Sequence, residues 1–333
     1  MKFLSVALIF AFLSMGASAS AATDLTTQEA RETVADLANK LEAGYLDPAI
    51  GAAYARTLRE NLAAGAYDDF TDTEEFGTKV TSDLHAIYPD GHLRLRLFVP
   101  PGDPGDSEGD TGRPAAYDAS KWIDTGIAYA RWRVFSGEDD SLEACENLFA
   151  EFSDAKALII DLREHRGGGL AEQDAIFSRL FGDATHLVTM RVREGKGEFL
   201  AEVFDSMPSM KRMPAIDGVN IWEHWTSPTR DNGRWPSVPV YLLTSKTTAS
   251  AAEHFVLSLK RTGRAVVVGD TTRGAGNFGS GEQIGERFYA FIAVGQTVDP
   301  DTGKGWDVVG IEPDVVVPAD KALETALSLI NEN

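Results

Sequence analysis

Between Thr26 and Tyr88 apolar residues recur at helical spacing. Leu37, Leu41 and Tyr45 share one face, and Leu46-Asp47-Pro48 breaks the run. Ala53–Ala63 resumes it as far as Gly65, and Thr73–Tyr88 carries Phe76, Val80 and Leu84. Three helices with short connections predict a small antiparallel bundle over residues 23–98. That span closes on a turn holding His92 and an alternating strand to Leu97. Pro100–Ser120 is rich in Gly, Pro, Asp and Ala, so residues 99–121 read as a linker or mobile loop.

Beyond it the period changes. Gly126–Val134 alternates as a strand, and Ser141–Phe152 is amphipathic at helical spacing. Ala157–Leu162 is nearly continuous in apolar residues, as expected of a central strand buried on both faces. A helix is expected over Leu170–Phe181 and a strand over Leu187–Arg193. Gly195–Trp235 shows no period, yet holds three Trp and three Met; it reads either as a lid over a substrate groove or as packing against the core. Strands follow at Val240–Leu243, Ala265–Val268 and Phe288–Val294, with a helix opening at Ser250. A short strand end at Pro313–Pro318 and a helix over Ala319–Asn333 close the chain. Strands alternating with helices predict an α/β domain over residues 122–333.

Composition narrows the function. The 333 residues are 43% apolar and 25% charged, enough for one large domain or two. A formal net charge of -20 repels phosphate backbones and anionic lipid, so nucleic acid is not an expected partner. Met1–Ala22 has the pattern of a secretory leader: Lys2, an apolar stretch from Phe3 to Leu13, and small residues at Ala17-Ser18-Ala19 or Ser20-Ala21-Ala22. Export to the periplasm or outside the cell is expected, with no stable membrane insertion after cleavage. The single cysteine, Cys145, permits no internal disulfide and no zinc–thiolate cluster; its amphipathic context makes it a half-buried packing residue. No cofactor or metal site is expected.

Three separated stretches could carry chemistry. Strand, polar turn, Ser250 and a helix start is how α/β proteins present a nucleophile, with the helix N-terminus favouring an oxyanion. Ser250-Ala251-Ala252-Glu253 equally spells a capping box. Gly167-Gly168-Gly169 brings backbone N–H groups close to a ligand, or is a plain tight turn. His92 and His254 are the nearest candidate bases, the latter one helical turn after Ser250.

Together these stretches resemble a family. Asp161-Leu-Arg-Glu-His-Arg-Gly-Gly168, Thr248-Ala-Ser-Ala-Ala-Glu253 with Val268-Gly-Asp-Thr-Thr272, and Thr302–Asp314 are similar to blocks of the C-terminal processing (tail-specific) serine proteases. The branch most resembled includes the interphotoreceptor retinoid-binding protein repeats and the tricorn protease core. The resemblance implies a crotonase/Clp-protease-like core with an N-terminal helical bundle and no PDZ domain. It also implies a serine endopeptidase acting on peptide or unfolded protein. Ser250 matches the nucleophile, and the N–H groups of Ala251 and of Gly167 or Gly168 match the oxyanion hole. Ala275 stands where one branch has a catalytic Lys, so the tricorn-like His base, here His92, is implied instead. Asp307 stands where that branch has a Glu to orient the His, with Glu312 the fallback. His165 replaces the usual Asn of the glycine block, and Gly91 a polar residue before the His. A neutral His92 is required, so activity fades below about pH 6.5 for an unperturbed ring. The alternative is a non-catalytic binder of retinoid, lipid or peptide on the same scaffold.

Overall fold

The computed structural model describes residues 24–98 and 116–332. The leader, residues 1–22, and most of the expected linker, 99–115, lie outside the described residues.

Helix α1 (Thr27–Gly44) starts where Thr26 Oγ1 accepts the Glu29 N–H, satisfying one orphan donor of the first turn. In α2 (Pro48–Ala63) the Asp47 carboxylate caps Ala49 and Ile50. Pro48 sits in that first turn, where its missing N–H costs nothing, so Leu46-Asp47-Pro48 is a helix start and not only a break. Asp72 caps α3 (Thr73–His85) the same way. Strand β1 (Leu95–Leu97) follows.

Strands β2 (Tyr117–Asp124) and β3 (Ile127–Trp132) form a hairpin, so the last part of the expected linker is sheet. Helix α4 (Asp139–Glu151) buries Cys145 completely rather than by half. Strand β4 (Ala157–Asp161) leads to α5 (Ala171–Leu180), then β5 (His186–Arg193). The segment expected to be irregular is ordered: α6 (Glu198–Ser206), β6 (Met210–Ile216) and β7 (Val219–Trp225). Asp217-Gly218 turns the β6–β7 hairpin with φ of 50° and 76°, the left-handed backbone a two-residue hairpin turn requires. Part of its apolar content is packing, while Phe199, Met213 and Ile216 are exposed. Trp222 and Met210 bury against Met190, Val192, Leu200 and Phe204, while Trp235 enters the main core and donates to Phe149 O at 3.1 Å.

The chain continues through β8 (Val240–Thr244), α7 (Ala251–Arg261), β9 (Val266–Gly269), β10 (Asn277–Ile284), β11 (Phe288–Val298), β12 (Val315–Val316) and α8 (Ala322–Glu332). Two six-stranded sheets result. One runs β12-β9-β8-β4-β3-β2, parallel except at β2–β3. The other runs β1-β11-β5-β7-β6, antiparallel throughout, with β10 also on β11.

All five residues of β4 are buried. Leu158 and Ile160 pack with Leu148, Ile176 and Phe255; Ile159, on the other face, packs with Tyr129, Leu243 and Ala326. Helices on both faces explain the continuous apolar run. The N-terminal helices do not stand apart. Their core includes Ile284, Phe288, Ala290 and Ile292 of the antiparallel sheet, with Phe76 and Phe288 rings 5.3 Å apart, edge to face. They are a layer on that sheet, and the chain leaves no room between helices and core for a PDZ domain.

Candidate active site

Ser250 joins the turn after β8 to α7 with φ 57° and ψ -122°. A non-glycine residue held there is strained, by about 1–3 kcal/mol, and persists only if its surroundings over-determine it. They do. Thr248 Oγ1 donates to Leu162 O at 2.8 Å, Ala249 N to His165 O at 3.1 Å, and Ser250 N to Glu253 Oε2 at 2.8 Å. Glu253, fully buried, also accepts from Ala275 N, Gly274 N and Thr272 Oγ1 at 2.6–2.8 Å. Burial pushes its carboxyl up, and the four donors pull it back. Ser250 and Glu253 form the expected capping box, and the Glu253 N–H also bonds to the Ser250 carbonyl at 2.8 Å.

The glycine turn follows β4 and abuts this serine. A methyl on Gly167 would lie 2.8 Å from Ser250 Cβ, and one on Gly168 would lie 2.0 Å from Phe135 O. Their φ values, 114° and 124°, also exclude larger residues. Gly167 N–H donates to His165 Nδ1 at 3.1 Å, so it is already occupied. Gly168 and Ala251 N–H make no such bond, which ranks Gly168 above Gly167 as an oxyanion donor. His165 is buried against Phe135, ring centroids 4.2 Å apart, and burial holds its pKa at about 3, keeping the ring neutral.

His92 lies on the turn before β1, its ring tilted 31° against Phe291 at 4.9 Å between centroids. It shares a cavity of about 260 Å³ with Ala249 and Ala275, the neighbours of Ser250 and of the Glu253 anchor. Burial lowers its pKa first; Asp90 works against this, and Arg273 and Arg94 add to it. Asp307 does not reach the ring. Its carboxylate accepts from Tyr88 Oη, Gly276 N and Asn277 Nδ2, all at 2.9 Å, while His92 Nδ1 is buried with no partner. Asp90 holds the His92 backbone N–H at 2.8 Å and Tyr45 Oη at 2.8 Å, and Asn277 Nδ2 spans both acids. Burial, then the charge of Asp90, push the Asp307 carboxyl up to about 6. The direct Asp307–imidazole bond expected from sequence is thus replaced by a network, because the shorter acid is taken by the Gly276–Asn277 backbone.

The lower-ranked candidates stand elsewhere. Glu312 is exposed, and its carbonyl accepts from Lys260 Nζ at 2.6 Å. His254 is buried and turned inward: its Nε2 meets His224 Nδ1 at 2.8 Å, and His224 Nε2 meets Asp174 at 2.7 Å. Among the described residues no group of three His, Cys, Asp or Glu side chains is arranged to hold a metal ion. A larger cleft, about 500 Å³, lies between α1 and the turn before α6 and is lined by none of the residues expected to act from sequence. Sequence reasoning missed Asn277 and the anchoring role of Glu253.

The family model for peptidase family S41 matches residues 126–317. A Parabacteroides merdae protein, provisionally assigned as a peptidase, superposes with TM-score 0.63 at 19% identity, over 90% of this chain and 96% of that one. The tricorn protease gives 0.56 at 15%, over 92% of this chain and 37% of its own. The photosystem II D1 C-terminal processing protease gives 0.51 at 13%, over 87% and 94%. At these identities the superpositions establish the fold.

Proposed function

The chain belongs to peptidase family S41, the C-terminal processing serine proteases, and on that premise we propose an exported endopeptidase with Ser250 as nucleophile and His92 as general base. The observation that carries this reading is the backbone of Ser250, held in a strained conformation at the start of α7 by a fully buried carboxylate, with the glycine turn against it. Strain so heavily supported serves presentation of a side chain.

In the proposed reaction neutral His92 takes the Ser250 proton as the oxygen attacks the peptide carbonyl. The N–H groups of Gly168 and Ala251 hold the oxyanion, aided by the helix dipole. The imidazolium then protonates the leaving amine. Asp90 steadies the positive ring by its charge and holds the His92 backbone N–H; Asp307 stands one step further out, tied to Asp90 through Asn277, and acts as a positioning residue. The lowered pKa of His92 keeps it a base below the ordinary value of about 6.5, which shifts the acid limb of the rate profile down. Substrates are peptides or unfolded protein. The Trp- and Met-rich segment, which would suit an enzyme or a binder alike, supplies core residues and a hairpin.

A fluorophosphonate probe tests the nucleophile. Labelling of the folded protein that disappears in Ser250→Ala is expected, and His92→Ala should cut peptide hydrolysis by about 10³-fold or more. Persistent labelling of Ser250→Ala would overturn the assignment. N-terminal sequencing of exported material, expected to begin at Ser20 or Thr23, tests the leader.

A further inference from the structure

We propose that the cavity beside His92 is an anion subsite in which Arg94, Arg96, Arg166 and Arg273 bind a carboxylate of the peptide substrate within about two residues of the cleaved bond. This deepens the peptidase reading and rests on it.

The four arginines come from three separate stretches: the segment around β1, the loop after β4, and the loop before β10. All four line the same cavity of about 260 Å³, together with Gly91, His92 and Ala249. The wall is completed by Tyr289 and Phe291.

The chain holds 51 acidic residues against 31 basic, so an arginine here has carboxylates in excess to choose from. Several arginines elsewhere use them, whereas Arg179, Arg193 and Arg264 bond to backbone carbonyls instead. Arg31, Arg131, Arg163, Arg261 and Arg287 each meet an Asp or Glu. Among the described residues none of the four cavity arginines forms an ion pair. They face one another instead: burial, then Arg273 and Arg96, hold the Arg94 pKa below the usual guanidinium range. Arg96, Arg166 and Arg273 are exposed and Arg94 is half-buried, so their guanidinium groups are open to a ligand. A planar carboxylate fits them, by accepting paired N–H bonds from a guanidinium.

Location sets the specificity. The cavity touches the His92 turn on one side and Ala249 on the other, so an anion there lies alongside the reacting groups. An extended peptide advances about 3.3 Å per residue, which confines the bound group to positions next to the scissile bond. Acidic side chains near that bond, or a free chain end, supply the carboxylate.

The test uses the full-length mature protein and internally quenched peptides paired as Glu or Gln at each position from three before to three after the cleaved bond. A second arm compares free-acid with amidated ends. At one position the acid form is expected to exceed the amide form about 10- to 100-fold in kcat/KM, the size of a charge-assisted contact. High salt should shrink that ratio in the wild type, and Arg94→Gln or Arg273→Gln should collapse it, with melting curves showing that the variants fold. Discrimination that follows only the terminal carboxylate assigns the subsite to chain ends. Equal cleavage of every acid and amide pair overturns the subsite and leaves the hydrolase standing. Absence of both cleavage and fluorophosphonate labelling overturns the two together.

Discussion

A protonated ring at position 165 has nowhere to put its charge. Nδ1 accepts from Gly167 N–H, Nε2 is buried without a partner, and Phe135 packs against the face. The folded pKa of about 3 lies below the unfolded value of about 6.5. A depressed pKa contributes stability that is present above the unfolded value and lost as pH falls toward the folded one. Between neutral pH and about pH 4.5 this residue alone accounts for about 2–3 kcal/mol of lost stability. His165→Asn, whose amide oxygen can take over the Gly167 bond, should therefore lose that much less on acidification. Urea unfolding at the two pH values checks it. His254, also buried and lowered, leaves part of the acid sensitivity in place.

At the scale of elements, Glu253 is the tie between the start of α7 and the loop ahead of β10. Glu253→Gln exchanges an oxygen that accepts N–H groups for an NH₂ that opposes them. With two donors left unmet, a cost of about 2–4 kcal/mol is expected, together with slower labelling of Ser250. Equilibrium unfolding and labelling rates measure the two effects. Only half of this tie is legible in the sequence. Ser250 and Glu253 sit three apart, a local signal, whereas Gly274 and Ala275 arrive from across the chain. Asn277 is hidden for the same reason, in a stretch that reads as a glycine loop. Strand β10 escapes notice because Gly279 and Gly281 are there to clear Ile292 O and the Tyr289 ring, not to make a turn. Strand β6 is exposed at every residue after Met210, so it has no alternation to detect. What does read through is what burial imposes on periodicity: β4, β8, α4, α5 and the three N-terminal helices.

Over the whole molecule, the two sheets divide the proposed site. Ser250 and the glycine turn belong to the parallel sheet, while His92 lies between α3 and β1, at the helical layer of the antiparallel one. That layer shares its core with β10 and β11, so it should not melt separately. All six Trp lie from Trp122 onward, outside the N-terminal helices. Tryptophan fluorescence and far-UV circular dichroism should accordingly report one common urea transition. Two midpoints would mean that the helices unfold independently. The backbone at Ser250 has a final consequence for heat resistance. Glycine at that position tolerates φ 57° without penalty, so Ser250→Gly should outlast the live enzyme on heating, by about 1–3 kcal/mol. In this chain a higher melting point can be the mark of a silenced catalyst.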